Sequence, residues 1–276
     1  MDLSNENIIH IKKDNVEYLQ FRKLLEYKEL NHAYCIGIEK NFRTAKANMV
    51  ALEKSKYDKA IEDYKNICNA INSNYTHVVK TNQNHTDVVK IIEAKINKDE
   101  PDINIVQYAN TDGMITNKKN IMLSTTNADC ILLLYYDPIK KVIANTHSGW
   151  KGTLQRISVK TVEKMKKEFN CNPQDIICCI APSIRKCHFE VEADVKEMFE
   201  KEFSDLTNEF ITEKIKNQKW NIDTVLINKI ILEKAGLKSE NIIDSGICSV
   251  CNSDKIHSYR AEGKEYGLNT ALIEMV

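Results

Sequence analysis

The strongest constraint on the fold is a pair of apolar strand segments, Ile131–Tyr136 and Lys141–Thr146, separated only by Asp137-Pro138-Ile139-Lys140. Four residues with proline second are a type I turn signal, so the two segments form an antiparallel hairpin. A symmetric turn centred between Pro138 and Ile139 sets Cys130 opposite His147. Directly opposed residues have Cβ atoms roughly 4.5–5.5 Å apart, which suits two ligands of one zinc with bonds of about 2.0–2.3 Å. A slip of one residue would break this pairing. The competing reading makes Cys130 a core residue and His147 a hydrogen-bonded strand-end residue. The flanks favour a site: Asp129 precedes the cysteine, and Ser148-Gly149-Trp150-Lys151-Gly152 follows the histidine. A buried strand pair thus ends in small and polar groups, where functional residues concentrate.

Composition narrows the function classes. Lys plus Arg and Asp plus Glu each number 39, giving zero formal charge, so no basic excess points to a nucleic-acid or acidic-membrane partner. The chain has nine cysteines, but it is too long and too sparse in cysteine for a disulfide scaffold. Met1–Asn7 lacks the basic and apolar regions of a secretory signal. The longest apolar stretch, Ile131–Tyr136, is too short to span a bilayer. A reducing cytoplasm is therefore expected, with free thiols that pack as small hydrophobes. The eight glycines form neither GxGxxG nor GxxxxGK[ST], which removes dinucleotide and P-loop readings.

Periodicity predicts helices over 48–72, 154–169, 191–203 and 223–235, the last ending at Gly236 in a plausible C′ position. Strand character falls on 31–38, 77–80, 88–89, 104–108, 121–125, 176–180 and 242–246. Residues 1–30 suggest a strand pattern followed by a weak amphipathic stretch. Elements alternate without a Pro-, Gly- or Ser-rich linker and without a repeat, so one domain over 1–276 with mixed strand pairing is expected.

A catalytic zinc needs a third protein ligand and an open position. His77, His85, His188 and His257 are all candidates, and spacing alone leaves the choice open. A structural zinc module in the tail is a different reading. Cys248-x-x-Cys251 with His257 has partial finger-like spacing that Cys187-His188 could complete, although adjacent ligands are poor geometry. Cys251 is read as incidental.

Several segments together resemble the YfiH-like family, once called the laccase domain or multicopper polyphenol oxidase family. They are Gln83-x-His85, Thr111-Asp112-Gly113, Ala128-Asp129-Cys130, His147–Gly152, Ala181–Ile184, Cys187, Val191, Trp220-Asn221-x-Asp223, Cys248 and Ser258-Tyr259-Arg260. The resemblance runs from about residue 75 to 267. It implies an α+β fold, a single-domain layered αββα sandwich with mixed sheets that is related to bacterial toxin deamidases. It also implies a zinc site on His85, Cys130 and His147. The implied activity is phosphorolysis of adenosine, inosine and methylthioadenosine to free base and a (deoxy)ribose-1-phosphate type product, with adenosine deamination. One branch of the family is described as editing peptidoglycan precursors, and an older reading has members oxidise polyphenols with copper.

On this reading Asp129 is a candidate for proton transfer or for orienting a ligand imidazole, and Arg260 for holding an anion. Gln83, Gly149 and Ser258 are candidate substrate-binding positions. The expected partners are a nucleoside and phosphate, with no nucleic acid or membrane, and the chain is expected to act as a monomer. The chain departs from the family at Leu132, often Pro, and at Lys151, Ala261 and Leu268, where arginines are usual. Two rivals remain. Seven histidines with no His-x-His pair do not suit a multicopper cluster. A cysteine hydrolase acting on amides or peptidoglycan precursors would use Cys130 as nucleophile and His147 as base.

Overall fold

The computed structural model describes residues 1–44, 53–93, 109–214 and 218–276. The first sheet contains β1 (Ile8–Lys13), β2 (Val16–Phe21), β3 (Leu30–Ile36), β4 (Val78–Lys80), β7 (Met122–Asn127) and β15 (Asn269–Met275), in the order β1-β2-β3-β15-β7-β4. The second contains β5 (Val89–Ile91), β6 (Gly113–Thr116), β8 (Ile131–Asp137), β9 (Val142–Ser148), β10 (Ile177–Ile180) and β14 (Ile242–Asp244), in the order β14-β10-β8-β9-β6-β5. Both sheets mix parallel and antiparallel pairs. A third, small sheet joins β11 (Glu190–Val191), β13 (Lys219–Ile222) and β12 (Ile211–Lys214).

The helices are α1 (Lys54–Ala70), α2 (Trp150–Leu154), α3 (Ile157–Phe169), α4 (Ala193–Glu202), α5 (Thr207–Phe210), α6 (Thr224–Lys234) and α7 (Tyr259–Glu262). Strand β8 shows why the layers form. It alternates Leu132, Leu134 and Tyr136 into a core shared with the first sheet, and Ile131, Leu133 and Tyr135 into a core shared with α3 and α6. Both faces are covered, so the strand reads as one continuous apolar run. On the far side, Tyr64, Ile67 and Cys68 of α1 close the outer face of the first sheet against Val78, Met122 and Leu272. The result is the expected α+β sandwich, with its two large sheets between helical layers.

The hairpin register needs correction. His147 pairs with Leu132, and the last pair is Ile131 with Ser148, so Cys130 lies just beyond β8 rather than opposite His147. The turn keeps four residues, Pro138–Lys141, but is centred one residue later than expected, with Asp137 paired to Val142. Asp137 Oδ1 accepts from the backbone N–H groups of Ile139 and Lys140, and Lys141 takes a left-handed φ of 53°. The displacement is an even number of residues, so Cys130 and His147 keep the same face and stay neighbours.

Other boundaries also shift. The helix expected over 154–169 is broken by Arg156 at φ 57°, which separates α2 from α3. The N-terminal polar stretch holds a full hairpin, β1–β2. The strand expected over 104–108 and the first turn of the helix expected from 48 lie outside the described residues. Among the described residues, no helix is long and apolar enough to cross a membrane.

His32 on β3 is fully buried, and its Nε2 accepts from Phe21 N–H at 2.9 Å. Burial holds its pKa down at about 3 against an ordinary value of 6.5. Between those limits the unfolded chain binds one more proton than the folded one, so stability falls as pH falls from about 6.5 to about 3. The slope for one group approaches about 1.4 kcal/mol per pH unit. His32→Gln keeps an acceptor for Phe21 and removes the titration. Urea unfolding at several pH values is expected to show a shallower acid limb in this variant than in the parent protein.

Candidate metal centre

The site lies where β9, the 81–88 loop and the start of β8 converge, and one carboxylate ties them together. Asp112 is fully buried just before β6. Its Oδ1 accepts from His147 Nδ1–H at 2.8 Å and from His85 N–H at 3.0 Å. Its Oδ2 accepts from Asn84 N–H at 3.2 Å, Thr86 N–H at 2.9 Å and the Thr86 hydroxyl at 2.7 Å. The Asp112 carbonyl also accepts from His147 N–H at 2.7 Å. Burial alone would raise the pKa of this carboxyl, but His147 and the Thr86 donors outweigh it and hold the pKa below the usual range.

The three consecutive amides on Asp112 fix the loop with His85 in a left-handed conformation, φ 60°. That conformation is unfavourable for a non-glycine residue and needs such over-determination. Gln83 anchors the same loop to β7, its Nε2 donating to Thr126 O at 2.7 Å and its Oε1 accepting from Thr126 N–H at 2.8 Å. The His85 and His147 rings then meet edge to face, centroids 4.9 Å apart. His85 Nε2 lies 3.7 Å from Cys130 Sγ. Gly149 makes this approach possible: a Cβ there would stand 2.4 Å from His85 Cδ2 and 3.2 Å from Cys130 Sγ.

The donor atoms of His85, Cys130 and His147 all lie within 4.8 Å of one another. Asp112 occupies His147 Nδ1, which leaves Nε2 for a metal, as in the carboxylate–histidine–metal arrangements of many sites. The sulfur–nitrogen separation suits a tetrahedral zinc, for which about 3.6 Å is expected from the bond lengths. Three donors of this chemistry fit a zinc-class ion with one position open. Burial would raise the Cys130 pKa, but the His147 imidazole and then His85 override it and bring the thiol down to about 6. Burial would likewise lower His147, but Cys130 and Asp112 raise it to about 10. The pair therefore favours thiolate beside imidazolium when no metal is bound.

The remaining candidates for third ligand are committed elsewhere. His77 Nδ1 bonds Glu274, and His257 bonds both Lys40 O and Glu262. His188 belongs to a second cluster with Cys187, Cys248 and Cys251, whose donor atoms also lie within 4.8 Å of one another. This corrects one reading of the sequence: the tail grouping brings together His188, and not His257, with three further cysteines. Cys187 and Cys251 are exposed.

Asp129 adjoins Cys130, but its carboxylate faces away from the ligand imidazoles. Oδ1 accepts from the Ser249 hydroxyl at 2.6 Å and Oδ2 from Arg260 N–H at 2.8 Å. The Arg260 guanidinium donates to His188 O at 2.8 Å and Glu190 O at 3.1 Å. Ser258 caps α7, its hydroxyl accepting from Ala261 N–H. Asp112, whose sequence segment carried no assigned role, is the group that orients the imidazole. It was signalled as part of Thr111-Asp112-Gly113, one of the segments that carry the family resemblance, but that match gives it no role.

Residues 38–276 match the family model described as multi-copper polyphenol oxidoreductase laccase. A protein of Mus musculus named a purine nucleoside phosphorylase is 26% identical over 234 residues, covering 83% of this chain and 51% of its own length. YlmD of Bacillus subtilis, named likewise, is 31% identical over 165 residues, covering 60% of this chain and 59% of its own. A protein from an unknown prokaryotic organism, named an adenosine deaminase, is 28% identical over 190 residues, 69% of this chain and 72% of its own. The chain thus spans about half the length of the mouse relative. Among solved structures, the YfiH protein of Bacillus licheniformis superposes with a TM-score of 0.83 at 20% identity, covering 97% of this chain and 99% of that one. YlmD of Geobacillus stearothermophilus gives 0.77 at 17%, with the same coverage.

Three substitutions test the geometry. Asp112→Asn is expected to weaken zinc binding about 10–100-fold, the usual effect of losing an outer-shell carboxylate. Gly149→Ala should displace His85 and weaken binding as well, while Gln83→Ala should act mainly through loop order. Competition against a zinc chelator, with circular dichroism to check folding, reads all three.

Proposed function

Because this chain belongs to the multi-copper polyphenol oxidoreductase laccase family, whose named relatives include purine nucleoside phosphorylases and an adenosine deaminase, we propose that it is a zinc-dependent purine nucleoside enzyme. The proposed reaction is phosphorolysis of adenosine, inosine or methylthioadenosine to free base and a ribose-1-phosphate type product, with deamination of adenosine as a second activity. The observation that carries this reading is the His85–Cys130–His147 set, three donors with a fourth position left for chemistry. A zinc ion there supplies a Lewis acid that stabilises negative charge developing on oxygen.

The chain's own residues set the rest. Asp112 holds the His147 tautomer, and Gly149 leaves room for His85 beside the thiolate. Both Asp129 oxygens are engaged, so Asp129 acts as a positioning residue for Ser249 and Arg260. A proton-transfer role would require it to release one of those bonds. Arg260 is exposed and has further N–H donors beyond the two in use, enough to meet an incoming phosphate. The arginines usual in the family at Ala261 and Leu268 are missing, which leaves Arg260 with more of that task. Neutral overall charge is compatible with an uncharged nucleoside.

One observation favours a second reading. Cys130, His147 and Asp112 line up as thiol, imidazole and carboxylate, and the thiol is already brought down to about 6. That is the arrangement of a cysteine amide hydrolase. Metal removal separates the two readings. Protein is incubated with adenosine, inosine and methylthioadenosine, with and without phosphate, before and after chelation, and products are resolved by chromatography. The proposal predicts free base only with phosphate and zinc, and inosine from adenosine with zinc alone. No turnover of any nucleoside, with amide hydrolysis surviving chelation, would replace it with the hydrolase.

A further inference from the structure

Among the described residues, one group of side chains outside the site just described has the chemistry and spacing of a metal site. Cys187 Sγ lies 3.6 Å from Cys248 Sγ and 4.0 Å from Cys251 Sγ. His188 Nδ1 lies 3.1 Å from Cys187 Sγ, 3.7 Å from Cys248 Sγ and 3.6 Å from Cys251 Sγ. A tetrahedral zinc with Zn–S of about 2.3 Å and Zn–N of about 2.0–2.1 Å places its sulfurs about 3.8 Å apart, and sulfur and nitrogen about 3.6 Å apart. These separations follow the edges of such a tetrahedron. A disulfide accounts for two of the thiols, but not for a third thiol and an imidazole nitrogen closing on the same point.

We propose that Cys187, His188, Cys248 and Cys251 form a second, structural zinc-class site of the Cys3His type. The ligand set is complete at four, unlike the three donors of the first site, so it leaves no position for substrate. Adjacent ligands are usually awkward, but here the neighbour uses Nδ1, the ring nitrogen nearer its backbone, and the chain turns at this point: His188 N–H bonds Arg185 O at 2.9 Å. Thiolates with an imidazole favour a borderline-soft ion over calcium or magnesium.

The scaffold brings the two ligand loops together without help from the thiols. Ser183 and Cys248 form a parallel bridge, and Ser249 N–H donates to Ser183 O at 3.0 Å. Arg185 grips Asp244 through both terminal nitrogens and donates to Ile247 O. Asn252 Nδ2 donates to Cys248 O at 2.8 Å across the Cys248–Cys251 turn. A metal would lock this preformed clamp, and the clamp reaches the first site. Ser249, between two of the ligands, holds Asp129, and the carbonyl of His188 receives Arg260.

The test is metal content of the full chain purified without added metal under reducing conditions, with mutation of each site separately. The proposal predicts about two zinc ions per chain, about one in Cys130→Ala, about one in Cys251→Ser and none in the double variant. Cobalt added to metal-stripped Cys130→Ala protein reads the second site alone. It should give an intense thiolate-to-cobalt charge-transfer band, and this readout holds even if Cys251→Ser fails to fold. Cys130→Ala protein that binds neither zinc nor cobalt overturns the proposal, as does a Cys187–Cys248 disulfide in its intact mass. A chain that loses its metal in Cys251→Ser but not in Cys130→Ala would keep the second site and remove the first.

Discussion

The carboxylate of Asp112 is the constraint on which the first site depends. A buried carboxylate is unfavourable unless donors surround it, and here it gathers them from two separate segments and ties both to its own. The 81–88 loop gives three amides and a hydroxyl, β9 gives an imidazole, and Asp112 itself sits at the entry to β6. Satisfying that one charge places His85 beside Cys130 and turns His147 so that Nε2 is free. Each of those bonds is charge-assisted, among the stronger kinds a protein makes.

The layered fold supplies the frame. Strand β8 is buried on both faces and pairs with β9 along its whole length, so the ends of the two strands have little freedom. Cys130 and Gly149 lie just past those ends, where the ladder stops and side chains can converge. A wall beside Asp129 is built by the Ser183 and Ser249 loops: Ile184 N–H donates to Asp129 O and the Ser249 hydroxyl to its carboxylate, which also receives Arg260 N–H. Cys187, His188, Cys248 and Cys251 stand on the same wall, so the support of Asp129 and Arg260 and the thiol-rich cluster belong to one structural unit.

Much of this was legible in the sequence, and the gaps have physical reasons. The hairpin was visible as two apolar runs around a proline turn, but its register was not, because Lys141 adopts a left-handed φ that nothing in its side chain announces. The even displacement preserved the face, which is why Cys130 and His147 still meet. Strand β15 was not anticipated although it is central to its sheet. Its short Ala271–Ile273 run is followed by Glu274, which looks like a surface residue yet is fully buried against His77 and Ser73. Asp112 was hidden because local sequence cannot show a side chain that collects donors from loops near 85 and 147. The Cys3His grouping was dimly visible as Cys248-x-x-Cys251 and Cys187-His188, but spacing favoured the wrong histidine, since Cys187 and Cys248 are joined only by tertiary pairing.

The most direct measurement is anomalous diffraction at the zinc edge from crystals grown with zinc. The account predicts a peak within bonding distance of His85 Nε2, Cys130 Sγ and His147 Nε2, with Asp112 still on His147 Nδ1 and not on the metal. Zinc absent from that position, or bound there through Asp112 with His147 turned away, would contradict it.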